Sequence, residues 1–171
     1  MFRKGLVVAA FCLMPAMAMA QGARGPFELT LSGTGTNGVN FNAFTAGGSG
    51  SLGYFLTDNI EAGVRERVSY TDLNGPTAWF ADTRLAVDFN FPLGDQGQFM
   101  PFFGGSVGYL AGEHVRDQWS AGPEAGIKYF VNNATFIYAS MEYDCYFDQS
   151  HHGNSFNNGT FNYALGIGFR F

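Results

Sequence analysis

From Phe161 to Phe171, large apolar residues fill every second position. Phe161, Tyr163, Leu165, Ile167, Phe169 and Phe171 alternate with Asn162, Ala164, Gly166, Gly168 and Arg170. A period of two marks a strand with two unlike faces. Residues 77–91 set Trp79, Ala81, Leu85, Val87, Phe89 and Phe91 against Asp82, Arg84, Asp88 and Asn90. Residues 99–111 set Phe99, Phe103, Val107 and Tyr109 against Gly104, Ser106 and Gly108. Residues 118–130 set Trp119, Ala121, Pro123, Ala125, Ile127 and Tyr129 against Gln118, Ser120, Glu124 and Lys128. The rhythm recurs in 27–34 and 135–147, and strands also fit the Gly-rich 45–56 and 60–70. These are eight strands in an up-and-down meander, each close to the ~9–11 residues that a tilted strand needs to cross a bilayer.

The breaks alternate in length. Thr57–Asn59, Pro92–Gln98 and Val131–Asn133 read as turns. Residues 35–44, Thr71–Pro76, Gly112–Asp117 and Asp148–Asn158 read as loops, with turn chemistry at Asn37-Gly38, Asn74-Gly75 and Asn158-Gly159. The loops at 35–44 and 148–158 are the longest of the four and the expected surface contacts.

Composition decides which face looks inward. Of 171 residues, 13% are charged and 17% aromatic, with 19 Phe. That is too few charges to dress a water-facing surface. With 9 Lys+Arg against 14 Asp+Glu, a basic nucleic-acid footprint is missing. Aromatics crowd the strand ends and flank a band of Ala, Val, Leu and Ile, which describes a lipid-facing surface with two aromatic girdles. The opposite face holds Glu28, Glu61, Arg65, Arg67, Asp82, Arg84, Asp88, Glu124, Lys128, Glu142, Asp144 and Arg170. Side chains about fill the interior of an eight-stranded barrel. These seven acids and five bases are therefore expected to pair as a plug; a narrow gated pore is the other reading of the same set. The fold expected is an all-β, eight-stranded, antiparallel transmembrane β-barrel, which leaves no sheet edge unpaired. Glu66 is the misfit: strict alternation aims it at lipid, and a bulge after Val64 or an interfacial position would relieve the conflict.

Residues 1–20 read as a cleaved signal peptide. Arg3 and Lys4 precede the apolar run Leu6–Leu13, and Ala18-Met19-Ala20 supplies the cleavage site. Residues 21–171 are then one barrel domain, in which Cys145 is the one remaining cysteine; it is expected to face outward as a small apolar filler.

The segments GYFLTDNIEAGV (Gly53–Val64), FMPFFGGSVGYL (Phe99–Leu110) and GPEAGIKYFVNNATFIYASMEY (Gly122–Tyr143), with the terminal YALGIGFRF (Tyr163–Phe171), resemble the eight-stranded outer-membrane β-barrel family. That family includes the transmembrane domain of outer-membrane protein A and outer-membrane protein X. The resemblance covers the whole mature chain. It implies a monomeric protein of the cell outer membrane with both termini in the periplasm. The implied partners are outer-membrane lipid and lipopolysaccharide, plus the barrel-assembly machinery. That machinery would read Tyr163, Leu165, Ile167, Phe169 and Phe171 as an assembly signal. No catalytic residue, cofactor or metal is expected.

One group of side chains invites a catalytic reading. His151 and His152 lie near Ser150 and Ser155, with Glu142 placed at the top of the preceding strand. A Ser/His/acid hydrolase acting on lipid A is the alternative function. The run Ser-His-His-Gly-Asn-Ser departs, however, from the spacing of the lipid A deacylases. Metal binding by the paired His with His114 is weaker, because adjacent strand residues point apart. A soluble secreted carrier is the last alternative, and it requires the bulky face to be buried.

Overall fold

The computed structural model describes residues 24–38, 44–71, 78–94, 97–112, 117–147 and 159–171. Eight strands follow one another: β1 Phe27–Gly38, β2 Phe44–Phe55, β3 Ile60–Thr71, β4 Ala78–Asn90, β5 Phe99–Gly112, β6 Gln118–Phe130, β7 Thr135–Phe147 and β8 Thr160–Arg170. Each pairs antiparallel with its neighbours in sequence, and β1 pairs with β8 to close the barrel. The closing seam extends past β8, where the Phe27 and Phe171 backbones exchange hydrogen bonds of 2.9 and 2.8 Å. Closure of this kind satisfies the ladder without the help of water. Both ends of the described chain and the three short turns share one rim.

The bulky face points out. Leu31, Leu52, Val64, Leu85, Val107, Ile137 and Leu165 are exposed, Leu165 at 71%. Two rings of aromatic pairs bound this band. Near the short turns, Phe27 meets Tyr54 at 5.0 Å and Phe99 meets Tyr129 at 4.9 Å between centroids. Near the other rim, Tyr70–Trp79 lie at 4.9 Å, Tyr109–Trp119 at 5.2 Å and Tyr143–Phe161 at 4.8 Å. This arrangement is the inverse of what a soluble carrier requires.

Three sequence expectations change. β1 runs to Gly38 rather than stopping at residue 34. Its Gly- and Thr-rich end carries no hydrophobic alternation, yet it ladders on β2 from Gly35↔Ala46 to Asn37↔Phe44 and also on β8. β1 and β2 together thus take in 35–38 and Phe44 of the loop expected at 35–44. Second, no bulge follows Val64. The register from Ile60↔Phe89 to Thr71↔Ala78 is unbroken and pairs Glu66 with Thr83. Glu66 does face outward, and the Thr83 hydroxyl donates to its Oε2 at 2.7 Å. Third, Glu142 lies below the strand top, opposite Glu124 and Asn162. One ladder is interrupted: β6–β7 pairing stops at Ala121↔Cys145 and resumes in the same register at Glu124↔Glu142. Pro123, which has no N–H to give, occupies the gap.

Candidate functional site

The barrel interior concentrates the charge. Alternation along each strand sends Glu28 inward from β1, Glu61, Arg65 and Arg67 from β3, and Asp82, Arg84 and Asp88 from β4. Glu124 and Lys128 come from β6, Glu142 and Asp144 from β7 and Arg170 from β8. All are buried except the half-buried Arg65. Most of the ion pairs cross the lumen; Arg84–Asp82, Arg67–Asp82 and Arg65–Asp88 stay on the β3–β4 wall.

The cluster farther from the termini centres on Arg84, which is fully buried. Its Nη1 lies 2.8 Å from Asp82 Oδ2 and its Nη2 lies 2.6 Å from Asp144 Oδ1. Its Nε donates to Ser106 Oγ at 3.0 Å. Arg67 Nη2 donates to Glu142 Oε2 at 2.8 Å, and Ser106 donates to the other Glu142 oxygen. Asn162 Nδ2 donates to Asp144 Oδ2 at 2.7 Å, and its Oδ1 accepts from the Thr36 hydroxyl at 2.8 Å. In mid-lumen, Arg65 Nη1 donates to Glu124 Oε2 at 2.8 Å. Toward the termini, Lys128 Nζ lies 2.6 Å from Glu28 Oε1 and 2.7 Å from Glu61 Oε2. Buried charges persist when paired and hydrogen-bonded in this way.

Beneath Lys128 lies an aromatic floor. Phe55, Met100, Phe102, Phe130 and Phe136 are buried. The Lys128 ammonium stands 5.2 to 5.5 Å from the Phe102, Phe55 and Phe136 ring centroids. Arg170 stacks 3.5 Å over Phe55 and Arg24 stacks 3.6 Å over Phe130. Arg170 Nε also donates to the Gly25 carbonyl at 2.8 Å. The sequence reading missed this floor, although a signal was present. Tyr54-Phe55, Phe102-Phe103, Tyr129-Phe130 and Phe136-Ile137 double a bulky residue at the same rim, so one of each pair has to turn inward.

The space left over is small. A residual cavity of about 30 Å³ sits between the charge clusters, which is room for roughly two waters. Glycines make space for the carboxylates: a Cβ at Gly53 would strike Glu61, and one at Gly104 would strike Asp88.

The remaining sequence candidates divide. His114, Ser150, His151, His152 and Ser155 lie outside the described residues. Glu142, the acid of the hydrolase reading, is held by Arg67, Arg84 and Ser106 in the lumen and is not free to orient a histidine. Among the described residues, no group of three or more His, Cys, Asp and Glu side chains is set to hold a metal. Tyr163, Leu165, Ile167, Phe169 and Phe171 project outward from the closing seam. Cys145 is half-buried on the outward side.

Comparison with known proteins agrees with this architecture. Residues 6–171 match the model of the outer membrane protein beta-barrel domain family. No curated protein matches by sequence. Among solved structures, neisserial surface protein A superposes with a TM-score of 0.67 at 13% identity, over 88% of this chain and 100% of that one. The N-terminal barrel domain of Pseudomonas aeruginosa OprF gives 0.56 at 21% identity, over 88% and 100%. The attachment invasion locus protein Ail of Yersinia pestis, solved with the heparin analogue sucrose octasulfate, gives 0.59 at 13% identity, over 86% and 99%.

Proposed function

The chain belongs to the outer membrane protein β-barrel domain family, and on that premise we propose that it is a non-enzymatic barrel that seals itself with its own side chains and meets its surroundings through its loops. It is an integral protein of a Gram-negative-type outer membrane. Its work is envelope integrity and surface contact. Residues 1–20 are the signal removed on export, and residues 21–171 form the mature barrel. Both termini and the short turns face the periplasm, as short turns do in such barrels. Outer-leaflet lipid and lipopolysaccharide surround the apolar band, and the barrel-assembly machinery reads the terminal strand.

The observation that carries this reading is the filled lumen. Cross-lumen ion pairs over an aromatic floor occupy the lumen, and the cavity between the charge clusters holds about 30 Å³. Purified protein in planar bilayers is therefore expected to show no steady conductance, and a deletion strain is expected to become more sensitive to detergent. Reproducible channels would replace the plug with a pore.

The polyanion carried by Ail is a poor guide to a ligand here. Seven of the nine basic residues are Arg3 and Lys4 of the signal and the inward-facing Arg65, Arg67, Arg84, Lys128 and Arg170. Arg24 lies on the floor, which leaves Arg116 as the one basic residue of the four loops, against Asp72, Glu113, Asp117 and Asp148. The loops favour cationic or neutral partners.

A further inference from the structure

At the rim that carries the chain ends, short turns join β2 to β3, β4 to β5 and β6 to β7. The fourth pair at that rim, β8 and β1, has no turn. It is also the one neighbouring pair that the chain joins at neither rim, so only non-covalent bonds hold it. Three residues ahead of β1 cross this seam. The Pro26 carbonyl accepts from the Phe55 backbone N–H of β2 at 2.7 Å. The Gly25 carbonyl accepts from Arg170 Nε of β8 at 2.8 Å. A Cβ at Gly25 would overlap the Phe171 carbonyl, so the absent side chain is what lets the two chain ends lie together. Arg24 then reaches the far wall. Its guanidinium stands 3.6 Å over the Phe130 ring of β6, and its Nη1 lies 3.3 Å from where a Cβ of Gly97, in the β4–β5 turn, would be.

We propose that Arg24–Pro26 is a latch, which seats after the barrel has closed and slows its parting between β8 and β1. It does without a covalent link what the turns do for the other three pairs. The order of events follows from the connectivity. Gly25 and Arg170 are 145 residues apart, and Arg170 and Phe171 reach their places only when β8 has paired with β1. Contacts of such long range form late, because the loop between them has to be closed first. A contact made after the rate-limiting step leaves folding untouched and acts on unfolding alone. A wall that parts at this seam bares two strand edges to lipid, where nothing else satisfies them. The latch therefore guards the one line along which the barrel opens without straining a turn or loop.

The test measures unfolding and refolding rates of the mature barrel in lipid vesicles, by the gel shift between folded and heated protein. Arg24→Ala removes the far anchor, and Gly25→Ala pushes the strap off Phe171. Each is expected to speed unfolding about tenfold, the scale of one partly desolvated cation–ring contact. Refolding is expected to stay within about twofold of the parent, the pattern of a contact missing from the transition state. A second background carries Thr34→Cys and Ala164→Cys, register partners across β1 and β8, with Cys145→Ser to remove the native thiol. Once oxidised, that barrel cannot part at the seam, and Arg24→Ala is expected to leave its unfolding rate unchanged. Reduction is expected to restore the difference. Refolding slowed as much as unfolding is quickened, an equal gain in the oxidised barrel, or no change in either variant would overturn the proposal.

Discussion

Arg84 and Asp144 meet across the lumen through two hydrogen bonds, Nη2 to Oδ1 at 2.6 Å and Nη1 to Oδ2 at 2.9 Å. The first residue comes from β4 and the second from β7, so the pair ties opposite walls that no backbone ladder connects. Asp82 and Glu142 lean on the same guanidinium.

Arg84→Met should therefore be costly. It would leave three carboxylates facing one another with Arg67 as their nearest cation. Breaking a buried pair from one side costs about 3–5 kcal/mol. Urea unfolding in lipid vesicles, followed by the gel shift between folded and heated protein, should show a loss of that size. Arg84→Met combined with Asp144→Asn should recover part of it, because the second change removes one of the stranded charges.

The aromatic floor yields a second expectation. Phe136 is completely buried, 4.9 Å from the Phe130 ring centroid. Phe136→Ala should cost about 3–5 kcal/mol, the usual range for a buried ring. It should also open the end of the lumen nearest the termini, beneath Lys128. Brief conductance steps in planar bilayers, missing from the parent protein, would report that opening. Phe169→Ala on the lipid side should produce none.

The contrast between Phe136 and Phe169 shows what was legible in the sequence. Backbone pleating makes alternation obligatory, so eight strands and two faces could be read directly, and the shortage of charge showed that lipid wets the bulky one. The pairing of individual charges could not be read. Arg84 and Asp144 are 60 residues apart, and their meeting depends on the stagger of strands that never touch. The end of β1 was hidden for a different reason: Gly35 to Gly38 carry no hydrophobic alternation and are held by backbone pairing, with one side-chain bond from Thr36 to Asn162. Glu66 looked like an error because its partner Thr83 lies on the next strand and is set by register.

Inward and outward glycines should respond differently to a methyl group. A Cβ at Gly53 would collide with the Glu61 carboxylate that Lys128 holds, whereas at Gly33 nothing lies within 4 Å. Gly53→Ala should destabilise by about 1–3 kcal/mol, the range for overfilling a packed interior. Gly33→Ala should be close to neutral. Paired unfolding curves for the two variants check both values.

The terminal residue separates folding from recognition. The Phe171 backbone closes the barrel against Phe27, and its ring stacks on Phe27 at 6.1 Å between centroids. Phe171→Ala keeps the backbone bonds and removes only an exposed ring contact, worth on the order of 1 kcal/mol. Spontaneous refolding into vesicles should therefore proceed nearly as in the parent protein. Insertion in cells should fall much further, with the chain accumulating in the periplasm or being degraded, because the assembly machinery would read the missing ring itself. Equal losses in vesicles and in cells would mean that Phe171 acts through barrel closure alone.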